Sequence, residues 1–150
     1  MSHTYSNLLV HIIFSTQERH PTIAAEIQPD LFAYIGGIVH GLHGRPLVVG
    51  GTNDHVHVLM RLPQDASVAD VVRVLKTNSS RWIHEKWPER AAFSWQTGYA
   101  AFSVNESNVA IITKYITEQP THHRRRSFQE EFVAFLKKNG IEYDERYVWG

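Results

Sequence analysis

The stretch RPLVVGGTNDHVHVLMRL, residues 45–62, constrains the fold most. Two apolar runs flank Gly-Gly-Thr-Asn-Asp, which is turn chemistry. The pattern predicts a hairpin of strands RPLVVGG and HVHVLMRL, so any fold must keep these two strands adjacent. The second strand carries His55 and His57 on either side of Val56. Side chains alternate faces along a strand, so both imidazoles share one face and Val56 and Val58 take the other. Two readings are open. The histidines are the outward polar side of a half-exposed strand, or they are a pair held on a rigid support for chemistry.

The rest of the chain sets the frame. YSNLLVHIIFST, ahead of Pro21, reads as a first strand. QPDLFAYIGGIVHGLHG has Leu31, Ile35, Ile38 and Leu42 at helical spacing, weakened by Gly36 and Gly37. After Pro63, SVADVVRVLKTNSSRWIHEKW reads as a second helix, capped by Ser67 and striped by Val68, Val71, Val72 and Leu75. Residues 93–104 read as a fourth strand, or two short ones broken at Gly98. NESNVAIITKYITEQ reads as a third helix with Asn105 as N-cap, ending at Gln119 because Pro120 disfavours helix before it. SFQEEFVAFLKKNG is a fourth helix with Gly140 at its end, and IEYDERYVWG an extended arm. The order β-α-β-β-α-β predicts one α+β domain over 1–150, a ferredoxin-like antiparallel sheet with helices on one face and a C-terminal helix added.

Composition narrows the function classes. Lys plus Arg and Asp plus Glu stand at 15 each, so net charge does not argue for nucleic acid. Basic residues are nevertheless clustered: Arg124, Arg125 and Arg126 in THHRRR, and Arg73, Lys76 and Arg81 on the second helix. Cysteine is absent, which excludes disulfides and thiolate metal sites. No apolar run approaches a membrane span and no charged leader precedes one, so the expectation is a cytoplasmic protein with no membrane partner.

KYITEQP holds the second clue. Tyr115 and Gln119 are four residues apart and share a helix face, while Val109, Ile112 and Ile116 make a buried stripe. His55, His57 and Gln119 offer two imidazole nitrogens and an amide oxygen, a donor set that can hold a divalent cation and leave positions for substrate. A phenol is a poor nucleophile at its ordinary pKa of about 10. Beside a cation-bound phosphate it would have a polarised electrophile.

These residues carry a resemblance. The chain resembles the single-tyrosine HUH transposases of minimal bacterial insertion sequences, where HUH is His-hydrophobe-His, here His55-Val56-His57. HIIFSTQERHP, GGTNDHVHVLMRLP, LKTNSSRWIHEKW, FSWQTGYAAFSVNESN, YITEQPTHH and SFQEEFVAFLKKNGIEYDERYVW all contribute to it. The resemblance implies cleavage and rejoining of single-stranded DNA. Tyr115 would attack the scissile phosphate and form a 5′-phosphotyrosine, and His55, His57 and Gln119 would bind the metal. The family's metal is usually described as Mg2+, and imidazole donors make Mn2+ a reasonable alternative. The resemblance further implies recognition of DNA hairpins and a homodimer in which Tyr115 can serve the partner's histidines.

Other assignments follow at lower resolution. The Arg124–Arg125–Arg126 run directly follows the Tyr115 helix and suits phosphate contact, or is a solvated surface run. Arg19, in STQER after the first strand, is a further candidate DNA contact, with Arg73, Lys76 and Arg81. A histidine-triad nucleotide hydrolase is excluded because Leu59 stands where a third histidine is needed. A non-catalytic or domesticated nucleic-acid-binding derivative is the alternative function. Base stacking on sheet aromatics would mark such a module, and the first strand offers few.

Overall fold

The structure is a computed structural model that describes residues 3–122 and 127–144. Its strands are β1 (Leu9–Ser15), β2 (Arg45–Gly51), β3 (His55–Arg61) and β4 (Ala100–Ser103). The helices are α1 (Gln28–Gly41), α2 (Val68–Lys86), α3 (Val109–Thr117), α4 (Gln119–His122) and α5 (Phe128–Lys138). The strands form one antiparallel sheet in the order β2-β3-β1-β4. This is the expected α+β, ferredoxin-like arrangement, with β1 and β3 central. The expected arginine cluster at 124–126 and most of the extended arm lie outside the described residues.

Local sequence explains most boundaries. Ser67 Oγ accepts from Asp70 N at 3.1 Å and Asp70 Oδ2 accepts from Ser67 N at 3.4 Å, a capping box that starts α2. In α1 the buried stripe is Leu31, Ile35 and Val39, with Ile38 and Leu42 partly buried beside it. Residues 93–104 follow the alternative of two pieces broken near Gly98: Trp95 bridges Thr16, and β4 starts only at Ala100. Lys76 Nζ donates to the carbonyls of Gln96 (2.8 Å) and Gly98 (2.6 Å), which holds the loop between the two pieces. Gln96 Oε1 also accepts from Ser15 N at 2.6 Å, so a side chain takes part of the strand's pairing.

The sheet is covered on both faces. Val10, Ile12, Phe14, Val56, Val58 and Met60 point into a core closed by α1 and α2. On the opposite face Ile13, Ala100 and Phe102 pack against Phe132 and Leu136 of α5. The helices therefore make a third layer over the face that bears His55 and His57. Both imidazoles are fully buried, so the half-exposed strand reading does not hold.

α3 reaches this face through a glycine. Gly50 pairs with His57 across the hairpin, and Ile116 of α3 sits directly on it. A Cβ at Gly50 would lie 2.9 Å from both Ile116 Cγ2 and Ile116 O. One of those contacts is backbone, so the helix itself would have to move. Gly50→Ala is expected to destabilise the fold by about 1–3 kcal/mol, the usual cost of overpacking. Urea unfolding of the two proteins measures it.

Candidate active site

β3 supplies the two histidines and the strand geometry fixes their spacing. His55 Nε2 lies 2.9 Å from Gln119 Oε1. His57 Nε2 lies 3.2 Å from Glu131 Oε1. The ligand atoms of His55, His57 and Glu131 all lie within 4.8 Å of one another, and all three residues are buried. Gln119 is also fully buried. Two imidazole nitrogens, a carboxylate and an amide oxygen thus converge, and this set fits a divalent cation that accepts mixed nitrogen and oxygen donors.

Glu131 was missed by the sequence reading. A signal for it exists in SFQEEFVAFLKK. Glu131 stands next to buried Phe132 and one turn before Phe135 and Leu136, on the apolar stripe of α5. A carboxylate at a core position of an amphipathic helix needs a buried partner. Here the partner is His57.

The Tyr115–Gln119 relation differs from a shared face of one helix. α3 ends at Thr117, Glu118 caps it, and Gln119 opens the short α4. Pro120 lies inside that first turn of α4, where a missing N–H costs nothing, rather than ending a longer helix. Gln119 Nε2 still reaches back to Tyr115 O at 3.4 Å. Of the expected stripe, Ile116 is buried and Val109 and Ile112 are half-buried, while Ile111, outside that stripe, is 67% exposed. The Tyr115–Gln119 side turns onto the sheet as well. The Tyr115 ring stands edge-on to its own chain's His57, centroids 5.7 Å apart, and edge-on to Phe135 at 5.5 Å. Tyr115, Glu131 and Lys138 line one cavity of about 230 Å3.

Outer contacts hold both imidazoles. His55 Nδ1 lies 2.7 Å from Asp54 Oδ1 and 3.0 Å from Thr52 Oγ1. An Nδ1–H donated to Asp54 leaves the Nε2 lone pair on the Gln119 side, the tautomer that a metal ligand requires. His57 Nδ1 lies 2.8 Å from His11 Nε2. His11 is 1% exposed, and burial, with His57 beside it, lowers its pKa to about 3, partly offset by Glu131. It is a neutral ring at physiological pH.

The candidate DNA contacts separate in space. Arg19 follows Glu18 in a turn where both have positive φ, 55° and 51°, a conformation that costs non-glycine residues about 1–2 kcal/mol each. That turn is tied to the segment entering β3 by Thr16 N donating to Asp54 O at 2.8 Å. Arg19 therefore belongs to the histidine end of the sheet. α2 covers the Val56–Val58 face, so Arg73 and Arg81 lie across the sheet from the imidazoles. Arg73 is near Asp70 at 4.0 Å and Arg81 Nη2 donates to Asn78 at 3.3 Å. The Lys76 ammonium is committed to the two loop carbonyls, and burial lowers its pKa to about 8.

The antiparallel sheet thus carries two buried histidines on β3, with α3 and its tyrosine laid over them. The chain belongs to the IS200-like transposase family, whose model matches residues 4–119. It is 27% identical over 124 residues to the transposase for insertion sequence element IS200 of Salmonella typhimurium, covering 79% of this chain and 81% of that one. It is 25% identical over 114 residues to the ISDra2 transposase TnpA of Deinococcus radiodurans, covering 73% and 81%. Among solved structures, a Deinococcus radiodurans transposase superposes with a TM-score of 0.64 at 23% identity, over 79% of this chain and 95% of that one. A REP-associated tyrosine transposase bound to a REP hairpin superposes with a TM-score of 0.61 at 15% identity, over 82% and 74%. The family match ends at Gln119, so Glu131 reaches the site from outside it.

The donor set predicts an order of effects on Mn2+ affinity measured by calorimetry. His57→Ala is expected to abolish measurable binding. Glu131→Gln, which removes a charge-assisted contact worth about 1.5–3 kcal/mol, should weaken it roughly 10- to 100-fold. Gln119→Ala should do least, because water can replace an amide oxygen. Equal affinity for wild type and His57→Ala would refute the ligand set.

Proposed function

We propose that this transposase cleaves and rejoins single-stranded DNA through a covalent bond between Tyr115 and a 5′-phosphate. The observation that carries the reading is Tyr115 standing against His57, in a cavity shared with Glu131. The proposed cation, Mg2+ or Mn2+, would be held by His55, His57, Gln119 and Glu131. When bound, it would polarise the scissile phosphate and offset its charge.

The phenol oxygen of Tyr115 attacks phosphorus. A Tyr115 O–P bond forms and the P–O3′ bond breaks. The phenol proton is lost and the departing 3′-oxygen gains one, leaving a free 3′-hydroxyl. The phosphotyrosyl ester keeps a transferable bond, so another 3′-hydroxyl can attack it, reseal the strand and return Tyr115 to its phenol. That chemistry suits strand exchange better than hydrolysis. Phe135 packs edge-on to the Tyr115 ring and limits its rotation. Arg19 lies at the histidine end of the sheet with Nε and Nη1 buried, so it would meet the phosphate backbone only through the rest of its guanidinium, with Arg124, Arg125 and Arg126 as further candidate contacts. Arg73, Lys76 and Arg81 would meet only DNA that wraps to the α2 side.

The solved transposase–hairpin complex supports a hairpin as the substrate form. Tyr115→Phe removes one oxygen and keeps the ring's packing. Hairpin binding is expected to persist, while cleavage and the covalent protein–DNA band on a denaturing gel are lost. A Tyr115→Phe protein that still forms the adduct would end the assignment. Hairpin binding by wild type without any adduct would favour the non-catalytic derivative instead.

The proposed homodimer leaves two ways to build the site. In the single chain Tyr115 packs on its own His57, and a crossed homodimer would make the same packing between subunits. A mixed dimer of Tyr115→Phe and His57→Ala subunits separates them. Sites made within subunits each keep one defect, so the mixture is expected to stay inactive. A crossed arrangement would place both defects in one site and restore up to about half the activity through the other.

A further inference from the structure

We propose that His11 is a positioning residue for His57: its Nε2 accepts the Nδ1–H of His57 and holds on that ring the tautomer whose Nε2 lone pair faces the cation seat. The inference rests on the cation site proposed above and extends it one layer outward.

The geometry is set by the sheet. His11 lies on β1 opposite Leu59 and His57 on β3 opposite Ile13, so the two histidines are diagonal neighbours on one face. Their facing nitrogens are 2.8 Å apart. His57's other nitrogen, Nε2, is the one that points to Glu131. A neutral imidazole carries a single N–H. A cation at Nε2 needs the lone pair there, which sends the proton to Nδ1. That proton is then inside the protein and needs an acceptor. His11 Nε2 stands where the acceptor must be, with the His11 proton on its own Nδ1.

Asp54 does the corresponding work for His55 with a carboxylate that is 25% exposed. At His57 the surroundings are drier. His11 is walled by Phe102 and Phe135, with centroids at 6.4 and 5.4 Å. A second carboxylate there would bury a further charge beside Glu131 whenever no cation is bound, whereas a neutral ring accepts the proton and adds none. Phe135 also packs on Tyr115, so the side chain that fixes His11 borders the nucleophile as well.

The test compares His11→Gln with His11→Met, side chains of nearly equal size of which Gln alone offers a good acceptor. Should His11→Met not fold, His11→Leu serves as the apolar member. Mn2+ affinity is measured by calorimetry, and melting temperature without metal monitors the fold. His11→Met is expected to bind Mn2+ about 10- to 100-fold more weakly than wild type, the usual effect of losing an outer partner of a metal-binding histidine. His11→Gln should recover most of that loss, and neither should lower the metal-free melting temperature much. Wild-type affinity in His11→Met, together with lost binding in His57→Ala, would overturn this inference and leave the cation site standing. Equal weakening by Met and Gln would overturn it too, since the acceptor would then not matter. No Mn2+ binding by the wild type would overturn the cation site and this inference together.

Discussion

The contact of α3 with Gly50 is the constraint on which the site depends. Gly50 lies across the hairpin from His57, and Ile116 rests on its bare backbone. Any side chain there would lift the helix from the sheet. Tyr115 precedes Ile116, and Gln119 follows one turn later, so their approach to the histidines is set by that seat. The neighbouring Gly51 is equally committed, since a Cβ there would overlap the His55 carbonyl oxygen. The two glycines therefore close the hairpin and admit the helix at the same place.

Burying four polar side chains between a sheet and a helical layer is costly unless they satisfy one another. The structure sets them in facing pairs, His55 Nε2 with Gln119 Oε1 and His57 Nε2 with Glu131 Oε1, with an outer partner behind each ring; with both Nε2 lone pairs turned inward, a cation between these atoms is what would satisfy them. The apolar contacts around them, Ile13 and Phe102 with Phe132 and Leu136, hold α5 in position. Glu131 is thus placed by hydrophobic packing and oriented by His57. The same layer gives the tyrosine an environment of ring edges rather than open water.

Some elements were legible because their signals are local. The hairpin at 45–61 follows from its turn residues, α2 from the Ser67–Asp70 box, and the facing of His55 and His57 from the strand period. For residues 93–104 the sequence leaves one strand or two broken at Gly98, and the choice falls to the Lys76 ammonium, far away in sequence, which holds the Gln96 and Gly98 carbonyls between the Trp95 bridge and β4. The joint between Tyr115 and Gln119 was read as one helix because spacing alone cannot separate a continuous turn from two helices meeting at Glu118.

By itself the sequence determined the β-α-β-β-α-β order, the pairing of the two imidazoles and the candidacy of Tyr115 and Gln119, because periodicity and motif spacing act between residues near in the chain. Tertiary structure alone decided that the histidine face is buried, that Glu131 and His11 join it, and that the Tyr115 ring stands edge-on to His57. Those outcomes depend on α5 docking on Ile13 and Phe102 and on α3 seating at Gly50. Such contacts join residues far apart in the chain, and their formation is governed by packing of whole surfaces, which no local spacing records.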